Sequence, residues 1–325
     1  MAATGSSVPY PPARAERDRW IRERRGPRRI VDARRAVSAL VEPEPSETGE
    51  VVNVATVFLA NRECPWRCLM CDLWKDTLAE SVPAGAIPEQ IRGALADLPP
   101  ARRIKLYNSG SFFDPRAIRP EDHPEIAALV SPFERVIVES HPVLVGESCL
   151  RFRDILAGAL EVAMGLETIH PEVLPRLNKG MPLPRFDGAA RLLAREGIAL
   201  RVFVLLGLPF VSEEESLEWA CRSVEYAFSR GAGAVSVIPT RLGNGALDAL
   251  RERGEFSSPP LRSLEVAVAR GLALGRGRVF ADLWDVAVLR ACPSCRGVRL
   301  ERLRGMNLSQ TVAAPVGCSE CGGSA

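Results

Sequence analysis

The feature that most constrains the fold is a regular alternation of short apolar runs with longer segments of helical periodicity between residues 51 and 274. The apolar runs are VVNVATVFLA, RIKLYNS, RVIVES, LEVAMGLE, LRVFVLLGLP and AVSVIPT. Apolar strands separated by helices of crossover length indicate a parallel sheet with both faces covered, and right-handed crossovers curl such a sheet toward a barrel. Six units are too few for a closed eightfold barrel. The sequence therefore predicts an α/β fold built on a partial (β/α)6 barrel.

Composition and local bias divide the chain into three parts. With 325 residues and 46% hydrophobic content, the chain can form one large core and a small appendage. Residues 1–50 are rich in arginine and proline and end in VEPEPSETGE, which predicts an arm or linker. We expect the barrel over residues 51–278 and a metal-binding tail over residues 279–325.

Cysteine usage indicates metal binding inside the cell. The first twenty residues lack the apolar core of a signal peptide, and no segment approaches the roughly 18 apolar residues of a membrane span. We therefore expect a cytoplasmic protein without a membrane partner. Thiols stay reduced in that compartment, so seven clustered cysteines out of nine point to metal rather than disulfides. Cys149 and Cys221 stand apart and are interpreted as buried small side chains.

Three of the clustered cysteines, Cys64, Cys68 and Cys71, lie in NRECPWRCLMCDLW, just after the first predicted strand. Functional groups collect at the carboxyl ends of strands in barrels of this kind. Three thiolates on one loop can hold three irons of a [4Fe–4S] cluster and leave the fourth iron open for a substrate or second cofactor. The alternatives are a zinc knuckle and a cluster completed by a distant cysteine.

The Cys-x3-Cys-x2-Cys loop resembles the cluster-binding motif of the radical S-adenosylmethionine superfamily. The resemblance implies an enzyme whose open iron chelates S-adenosylmethionine and whose cluster, supplied with one electron by a reductant such as flavodoxin or ferredoxin, cleaves it. The product is a 5′-deoxyadenosyl radical that abstracts hydrogen from the substrate. Met70 occupies the position before the third cysteine, which is commonly aromatic in the superfamily, and its thioether can take the same place against adenine.

The resemblance also implies residues for S-adenosylmethionine binding after the second strand. NSGSFF stands where the superfamily often has a glycine-rich turn that receives the methionine amino group. Ser109, Gly110 and Ser111 are the corresponding residues here, although the usual acidic end of the turn is missing. The alternative is an ordinary Gly/Ser turn between strand and helix.

Two carboxylates end apolar strands. They are Glu139 in VIVES and Glu167 in MGLE. Each carboxylate lies either at the open mouth of the barrel or at a buried position, where burying the charge costs free energy. By resemblance, both are assigned to the S-adenosylmethionine site, with Glu167 nearest the ribose or carboxylate. A helix N-cap or a structural ion pair is the alternative. Arg201, near the start of its strand, is interpreted as an ordinary residue of the opposite, bottom face.

A longer match places the chain near one branch of the superfamily. CLMCDLW, NSGSFFD, VIVESHP, the GLET to NKG segment and SVIPTRLGNGALDAL resemble the archaeosine-type radical enzymes, relatives of the Elongator catalytic subunit. The resemblance implies that a lysine-bearing deazaguanine in transfer RNA is split to leave an amidine. The alternatives are a radical enzyme acting on a small metabolite or peptide, and a non-catalytic iron–sulfur electron carrier or redox sensor.

The tail carries a second candidate metal site. Cys292, Cys295, Cys318 and Cys321 form two Cys-x2-Cys pairs whose separation is close to that of a four-thiolate zinc ribbon. Zinc is favoured, with a role in folding or substrate docking. An auxiliary iron–sulfur cluster is the alternative, since four cysteines satisfy either metal.

The N-terminal arm is a candidate for nucleic-acid binding. Its run ARAERDRWIRERRGPRRIVDARR holds ten arginines, which could meet phosphates while Trp20 stacks on a base. Acidic residues interrupt the run, so a salt-bridged arm is the alternative.

Overall fold

A computed structural model of the chain describes residues 8–286 and 289–321. Within these residues the chain forms eight strands: β1 (Ser38–Pro45), β2 (Val51–Phe58), β3 (Arg103–Tyr107), β4 (Arg135–Ser140), β5 (Ala159–Glu167), β6 (Ala199–Leu206), β7 (Ala234–Pro239) and β8 (Arg278–Ala281).

Helices connect and cover the strands. They are α1 (Arg14–Glu23), α2 (Ala86–Asp97), α3 (His123–Leu129), α4 (Glu147–Ile155), α5 (Val173–Arg176), α6 (Leu183–Arg195), α7 (Glu213–Ser229), α8 (Ala246–Glu252), α9 (Leu261–Ala273) and α10 (Pro293–Ser309). Short 3-10 helices occur at Leu73–Asp76, Pro120–Asp122 and Pro142–Leu144. In the part of the chain that the structure describes, no helix is both long enough and apolar enough to cross a bilayer.

The strands form one curled sheet in chain order, β1 to β8. All neighbours from β2 to β8 run parallel, and β1 pairs antiparallel with β2. The predicted α/β fold and its six strand–helix units, β2 to β7 with their helices, are confirmed. The sheet extends beyond residues 51–278 at both ends, to Ser38 and Ala281. Neither added strand has an apolar signature, because β1 contains two prolines at an edge position and β8 is only four residues long.

Alternate residues of each strand pack outward under the helices. Leu106, Val138, Val162, Val202 and Val237 are fully buried in this layer, together with the apolar stripes of α2, α6, α7 and α9. Burial of this layer is the main force that holds the helices on the sheet. The other face of each strand points into the lumen of the curled sheet, which contains the charged side chains and the candidate functional side chains described below.

Charged side chains fill the end of the lumen where the strands begin. Arg201 Nε lies 2.7 Å from Glu161 Oε1 and its Nη1 lies 3.3 Å from Glu44 Oε2, and Arg278 donates to the carbonyl of Pro45 at 3.0 Å. We call Glu44, Glu161, Arg201 and Arg278 the bottom network. Although burial opposes charge on Glu44, Arg201 and Lys105 hold its pKa well below its usual range. Arg201 is therefore a bottom-face residue, as predicted, and the network joins β8 to β1 across the lumen.

Helix α10 covers the open edge of β8 with amide side chains. Val279 N–H donates to Gln310 Oε1 at 2.7 Å, and Gln310 Nε2 donates back to Val279 O at 3.1 Å. Asn307 makes the same exchange with Ala281, at 2.7 and 2.9 Å. These two side chains bond backbone groups of β8 that a neighbouring strand would otherwise bond. The tail is therefore packed against the edge of the sheet.

Candidate active site

The three-cysteine loop (residues 61–72) follows β2 at the carboxyl end of the sheet, where the sequence analysis expects it. Cys71 N–H donates to Cys68 O at 3.2 Å and closes a tight turn. Leu69, between them, is fully buried, and its N–H donates to Leu177 O at 2.9 Å. The turn is thus held against the segment that follows β5.

Two buried asparagines anchor the carbonyl groups of this loop. Asn178 Nδ2 donates to Arg67 O at 2.8 Å, and Asn244 Nδ2 donates to Leu69 O at 2.8 Å and to Cys71 O at 3.4 Å. Both asparagines are 2% exposed, so these carbonyls would lose their partners if the amides were removed. Sequence reasoning missed both residues. Their signal was an asparagine within two residues of a glycine in a loop, in NKG and GNG.

The loop after β3 abuts the three-cysteine loop. An added Cβ on Gly110 would lie 3.5 Å from Cys64 Cβ, so the two loops are in van der Waals contact. Ser109 has a positive φ of 54°, and Ser111 bonds its hydroxyl to Ser140 at 2.9 Å. The structure therefore brings Ser109, Gly110 and Ser111 to the cysteines. The Ser111 hydroxyl is engaged within the protein, and the assignment of these residues to S-adenosylmethionine stays a prediction.

Glu139 supports that loop from the neighbouring strand. Its Oε1 accepts the N–H of Asn108 at 2.6 Å and of Gly110 at 3.4 Å. Burial raises the pKa of Glu139 in spite of these donors. The carboxylate thus orders the turn next to Cys64, while its direct assignment to the cofactor remains untested.

Glu167 is turned into the lumen by an irregularity at the end of β5. The register with β6 shifts between Gly165 and Glu167, and Glu167 adopts a positive φ of 66°. A bulge of this kind re-aims a side chain. The Glu167 carboxylate then lies over Gly165, where an added Cβ would stand 2.2 Å from Oε1. A side chain at position 165 would therefore displace the Glu167 carboxylate and the Lys179 ammonium from these positions.

Lys179 pairs with Glu167, Nζ to Oε1, at 2.5 Å. Burial disfavours the charged ammonium, but Glu167 and the Cys68 and Cys64 sulfurs outweigh it and raise the pKa of Lys179. The pair is 9% exposed on each side and faces the three-cysteine loop. Sequence reasoning quoted NKG in the family match without assigning Lys179 a role.

The segment Asn178–Gly180 also receives the N-terminal arm. Asn178 donates to Asp18 at 2.7 Å, and Gly180, at a φ of 70°, leaves room for the Arg14 guanidinium. Trp20 and Ile21 of α1 are buried against Leu69. The predicted stacking of Trp20 on a nucleic-acid base is wrong, because the indole is 3% exposed inside this apolar cluster.

Arginines of the arm pair with acidic residues beside the loop. Arg25 bonds Glu63 at 2.6 Å, and Arg29 bonds Asp76 at 2.9 Å. This agrees with the alternative of a salt-bridged arm. Helix α1 and the residues after it therefore form a wall of the site.

Met70 lies between two apolar clusters near the lumen. It packs against the cluster of Trp20 and Leu69 and against the cluster of Leu177, Leu205 and Leu208. The thioether is partly buried there, on the side of the loop that faces the end of β6. This position suits the predicted contact with a planar adenine, which stays a prediction.

The three cysteines of the loop have raised thiol pKa values. Burial raises the pKa of Cys64, Cys68 and Cys71 to about 12, so metal binding must displace their protons. Three thiolates on one loop suit a multi-iron cluster, in which each thiolate binds a different iron.

The four tail cysteines converge as predicted, with ligand atoms within 4.8 Å of one another. Cys292 Sγ lies 3.9 Å from Cys318 Sγ, and Cys295 Sγ lies 4.0 Å from Cys321 Sγ. The connecting residues form helix α10, which starts at the first pair, so this module is largely helical. Arg299 Nε donates to Cys295 Sγ at 3.1 Å and also bonds Glu265 of α9. The donor set fits zinc or an iron–sulfur cluster, and Arg299 ties it to the barrel.

Comparison with known proteins agrees with this architecture. Archaeosine synthase subunit beta of Methanosarcina acetivorans is 29% identical over 244 residues, which cover 69% of this chain and 70% of that protein. The protein of the same name from Thermococcus kodakarensis is 29% identical over 187 residues, 55% of this chain and 57% of that protein. The chain matches no protein-family model.

A solved structure shares the fold. Elp3 of Methanocaldococcus infernus superposes with a TM-score of 0.51 at 15% identity, covering 67% of this chain and 59% of that one. The predicted resemblance to archaeosine-type and Elongator-type proteins is confirmed, and the shared fold agrees with the predicted resemblance to the radical S-adenosylmethionine superfamily.

Proposed function

We propose that this chain is a radical S-adenosylmethionine enzyme that modifies a deazapurine nucleoside in transfer RNA. The observation that carries the proposal is the placement of the three-cysteine loop: it lies at the carboxyl ends of the strands, is anchored by Asn178 and Asn244, and faces the Glu167–Lys179 pair. Cys64, Cys68 and Cys71 would hold a [4Fe–4S] cluster. The bound cofactors would supply a 5′-deoxyadenosyl radical for hydrogen abstraction.

The surrounding side chains have the chemistry to bind S-adenosylmethionine. Lys179 offers an ammonium to the cofactor carboxylate, and Glu167 offers acceptor oxygens to ribose hydroxyls. Met70 and Leu205 offer an apolar surface to adenine. Helix α1 closes the loop from the outside, so reactive groups in the lumen are shielded from water.

The substrate part of the proposal is supported by the relatives. Both proteins compared above are named archaeosine synthase subunit beta. We extend to this chain the reaction implied by the sequence resemblance, in which a lysine-bearing deazaguanine is split to leave an amidine. Because both relatives are named as subunits, we propose that this chain also works with a second protein chain. A reducing partner such as flavodoxin or ferredoxin would supply the electron.

An anaerobic assay tests the proposed chemistry. The protein is reconstituted with iron and sulfide, mixed with S-adenosylmethionine and dithionite, and analysed for 5′-deoxyadenosine and methionine by mass spectrometry. Cys68→Ala should abolish the products. Cys149→Ala, which changes a fully buried cysteine of the outer layer, should retain them. If the wild-type protein carries a full cluster but forms neither product with candidate RNAs present, the enzyme hypothesis is wrong and an electron carrier or sensor is favoured.

Transfer-RNA binding separates the two enzyme hypotheses. Contacts with phosphates release counterions, so affinity for transfer RNA should fall steeply as salt rises. Absent or salt-insensitive binding would favour a small metabolite or peptide as substrate. Deuterium transfer from labelled substrate into 5′-deoxyadenosine then identifies the hydrogen that is abstracted.

A further inference from the structure

Four aromatic rings meet inside the lumen near its mouth. Phe58 lies at the end of β2, Tyr107 at the end of β3, Phe203 in β6, and Trp284 just after β8. Ring centroids are 5.7 Å apart for Trp284 and Phe58, 6.2 Å for Phe58 and Tyr107, and 6.2 Å for Tyr107 and Phe203. These distances are in the range of favourable ring contacts. We call the four rings the aromatic floor.

The aromatic floor crosses the lumen above the bottom network. Strands β3 and β6 are separated by two other strands in the sheet, so the Tyr107–Phe203 contact spans the concave side. Phe203 follows Arg201 by two residues and therefore projects from the same face of β6. Trp284 reaches Phe58 from the opposite edge of the curled sheet. The rings thus separate the charged end of the lumen from the mouth.

The upper surface of the aromatic floor is open. Phe58, Tyr107 and Phe203 are only half-buried, whereas Leu106, Val202 and Val204 on the outward face are fully buried. Strands β3 and β6 have neighbours on both sides, so the accessible ring surface must face the lumen. Trp284, at the rim, is 52% exposed. Aromatic surface left open inside a concave site is typical of a ligand pocket.

The aromatic floor adjoins the Glu167–Lys179 pair. Gly165 is the register partner of Phe203, and an added Cβ on Gly165 would stand 2.3 Å from Lys179 Nζ. Lys179 is therefore about one strand spacing from Phe203, since neighbouring strands lie roughly 4.8 Å apart. A molecule lying on the rings would be next to the groups proposed to hold S-adenosylmethionine.

Polar groups stand at the rim beside β7 and β8. Arg241 Nη2 pairs with Asp282 Oδ2 at 2.6 Å. Among the described residues, Arg241 Nε and the Thr240 hydroxyl are buried without a hydrogen-bond partner. Thr240 is 3% exposed, and an unpaired polar group at such a position is costly unless a ligand or water completes it. These groups can bond the edge of a bound ring.

We propose that the aromatic floor is the substrate-base site. The ring planes of Phe203 and Tyr107 are at 90° to each other, so a flat heterocyclic base stacks on the face of one ring, contacts the other ring, and turns its own edge toward Arg241 and Thr240. This inference rests on the proposed function for its position beside the radical source and names the residues that recognise the base. Stacking on aromatic side chains suits any planar base, and the rim donors and hydroxyl would select its edge.

Equilibrium dialysis of the reconstituted, cluster-loaded protein tests this site, with labelled 7-deazaguanosine as the probe and methyl riboside as the base-free control probe. Phe203→Leu and Tyr107→Leu keep apolar volume and remove the ring. Each should weaken 7-deazaguanosine binding about tenfold or more. Phe228→Leu, which removes a ring from outer helix α7, is the matched control and should bind as the wild type does. Iron content and thermal melting establish that each variant is folded and loaded.

The outcomes separate this inference from the proposed function. Weakened nucleoside binding with unchanged iron content and an unchanged melting temperature supports the base site. Equal affinity of the variants and the wild type, or equal affinity for methyl riboside, overturns it even when the enzyme cleaves S-adenosylmethionine. A wild-type protein that binds the nucleoside through Phe203 but forms no 5′-deoxyadenosine retains the base site and loses the proposed radical chemistry.

Discussion

The indole of Trp66 lies flat on the imidazole of His141, with ring centroids 3.7 Å apart and an angle of 2° between the planes. Trp66 stands between Cys64 and Cys68, so this stack joins the three-cysteine loop to the end of β4. His141 Nδ1 accepts the N–H of Val143 at 3.2 Å, which leaves Nε2 to donate to Lys179 O at 3.2 Å. Burial, with Lys179 nearby, lowers the pKa of His141 to about 3. A neutral ring of fixed tautomer therefore supports the loop.

Removing that support should loosen the cluster site. In His141→Ala, the loop loses a stacked pair worth about 1 kcal/mol, so we expect faster loss of iron and of visible absorbance when the reconstituted protein meets a chelator. His123→Ala is the matched control, because His123 packs between Phe112 and Phe152 in the outer layer. Equal rates of iron loss in the two variants would show that the stack does not support the cluster.

The asparagine anchors should matter in the same assay. Asn244→Leu leaves the carbonyls of Leu69 and Cys71 without this donor, which costs about 1–3 kcal/mol when the groups are buried. We expect lower iron occupancy after reconstitution and a lower melting temperature. Asn53→Leu is the control, since Asn53 is exposed at the other end of the sheet and its side chain makes a long, 3.5 Å bond to Pro100 O. Iron occupancy of Asn244→Leu equal to that of Asn53→Leu would contradict the anchoring role.

Acid should destabilise the fold through His123. Burial, with Arg151 nearby, lowers the pKa of His123 from 6.5 to about 4. Between pH 6.5 and 4, the unfolded chain therefore binds a proton at His123 and the folded chain does not. The contribution is fully present above pH 6.5 and is lost as the pH falls from 6.5 to 4, by at most about 1.4 kcal/mol per pH unit. His123→Leu should show a shallower loss in urea denaturation across this window. An unchanged pH slope would contradict the assignment.

Metal at the tail should stabilise the edge of β8. Cys292 and Gln310 flank the two ends of α10, and Cys295 and Asn307 lie within it, so metal binding orders the residues that cover the edge. In Cys318→Ser, or after chelation of tail zinc, the amides of Val279 and Ala281 should exchange with deuterium at least several-fold faster, while the iron of the three-cysteine loop is retained. Unchanged deuterium exchange would show that the tail metal does not stabilise the edge of β8. Loss of the loop cluster would show that the two metal sites depend on each other.

Local sequence was informative where the determinants are close together in the chain. The six strand–helix units follow from periodicity over a few residues, and the two sets of cysteines follow from spacing within one loop or pair. The same reasoning placed Arg201 on the bottom face, because side chains alternate along a strand. It missed β1 and β8, whose prolines and short length hide the strand signal, and it left Trp20 free for nucleic acid when that ring is buried.

Short-range patterns in the sequence suffice to predict the fold class, the two sets of clustered cysteines and the end of the sheet at which the three-cysteine loop lies. The distant residues that complete the site are brought together by the folded chain and have no local signal. Lys179 meets Glu167 through a bulge and a positive φ, Asn244 reaches the cysteine loop across more than 170 positions, and Tyr107 meets Phe203 across the lumen. These contacts depend on strand register and on the curl of the whole sheet, which are collective properties of the packed chain.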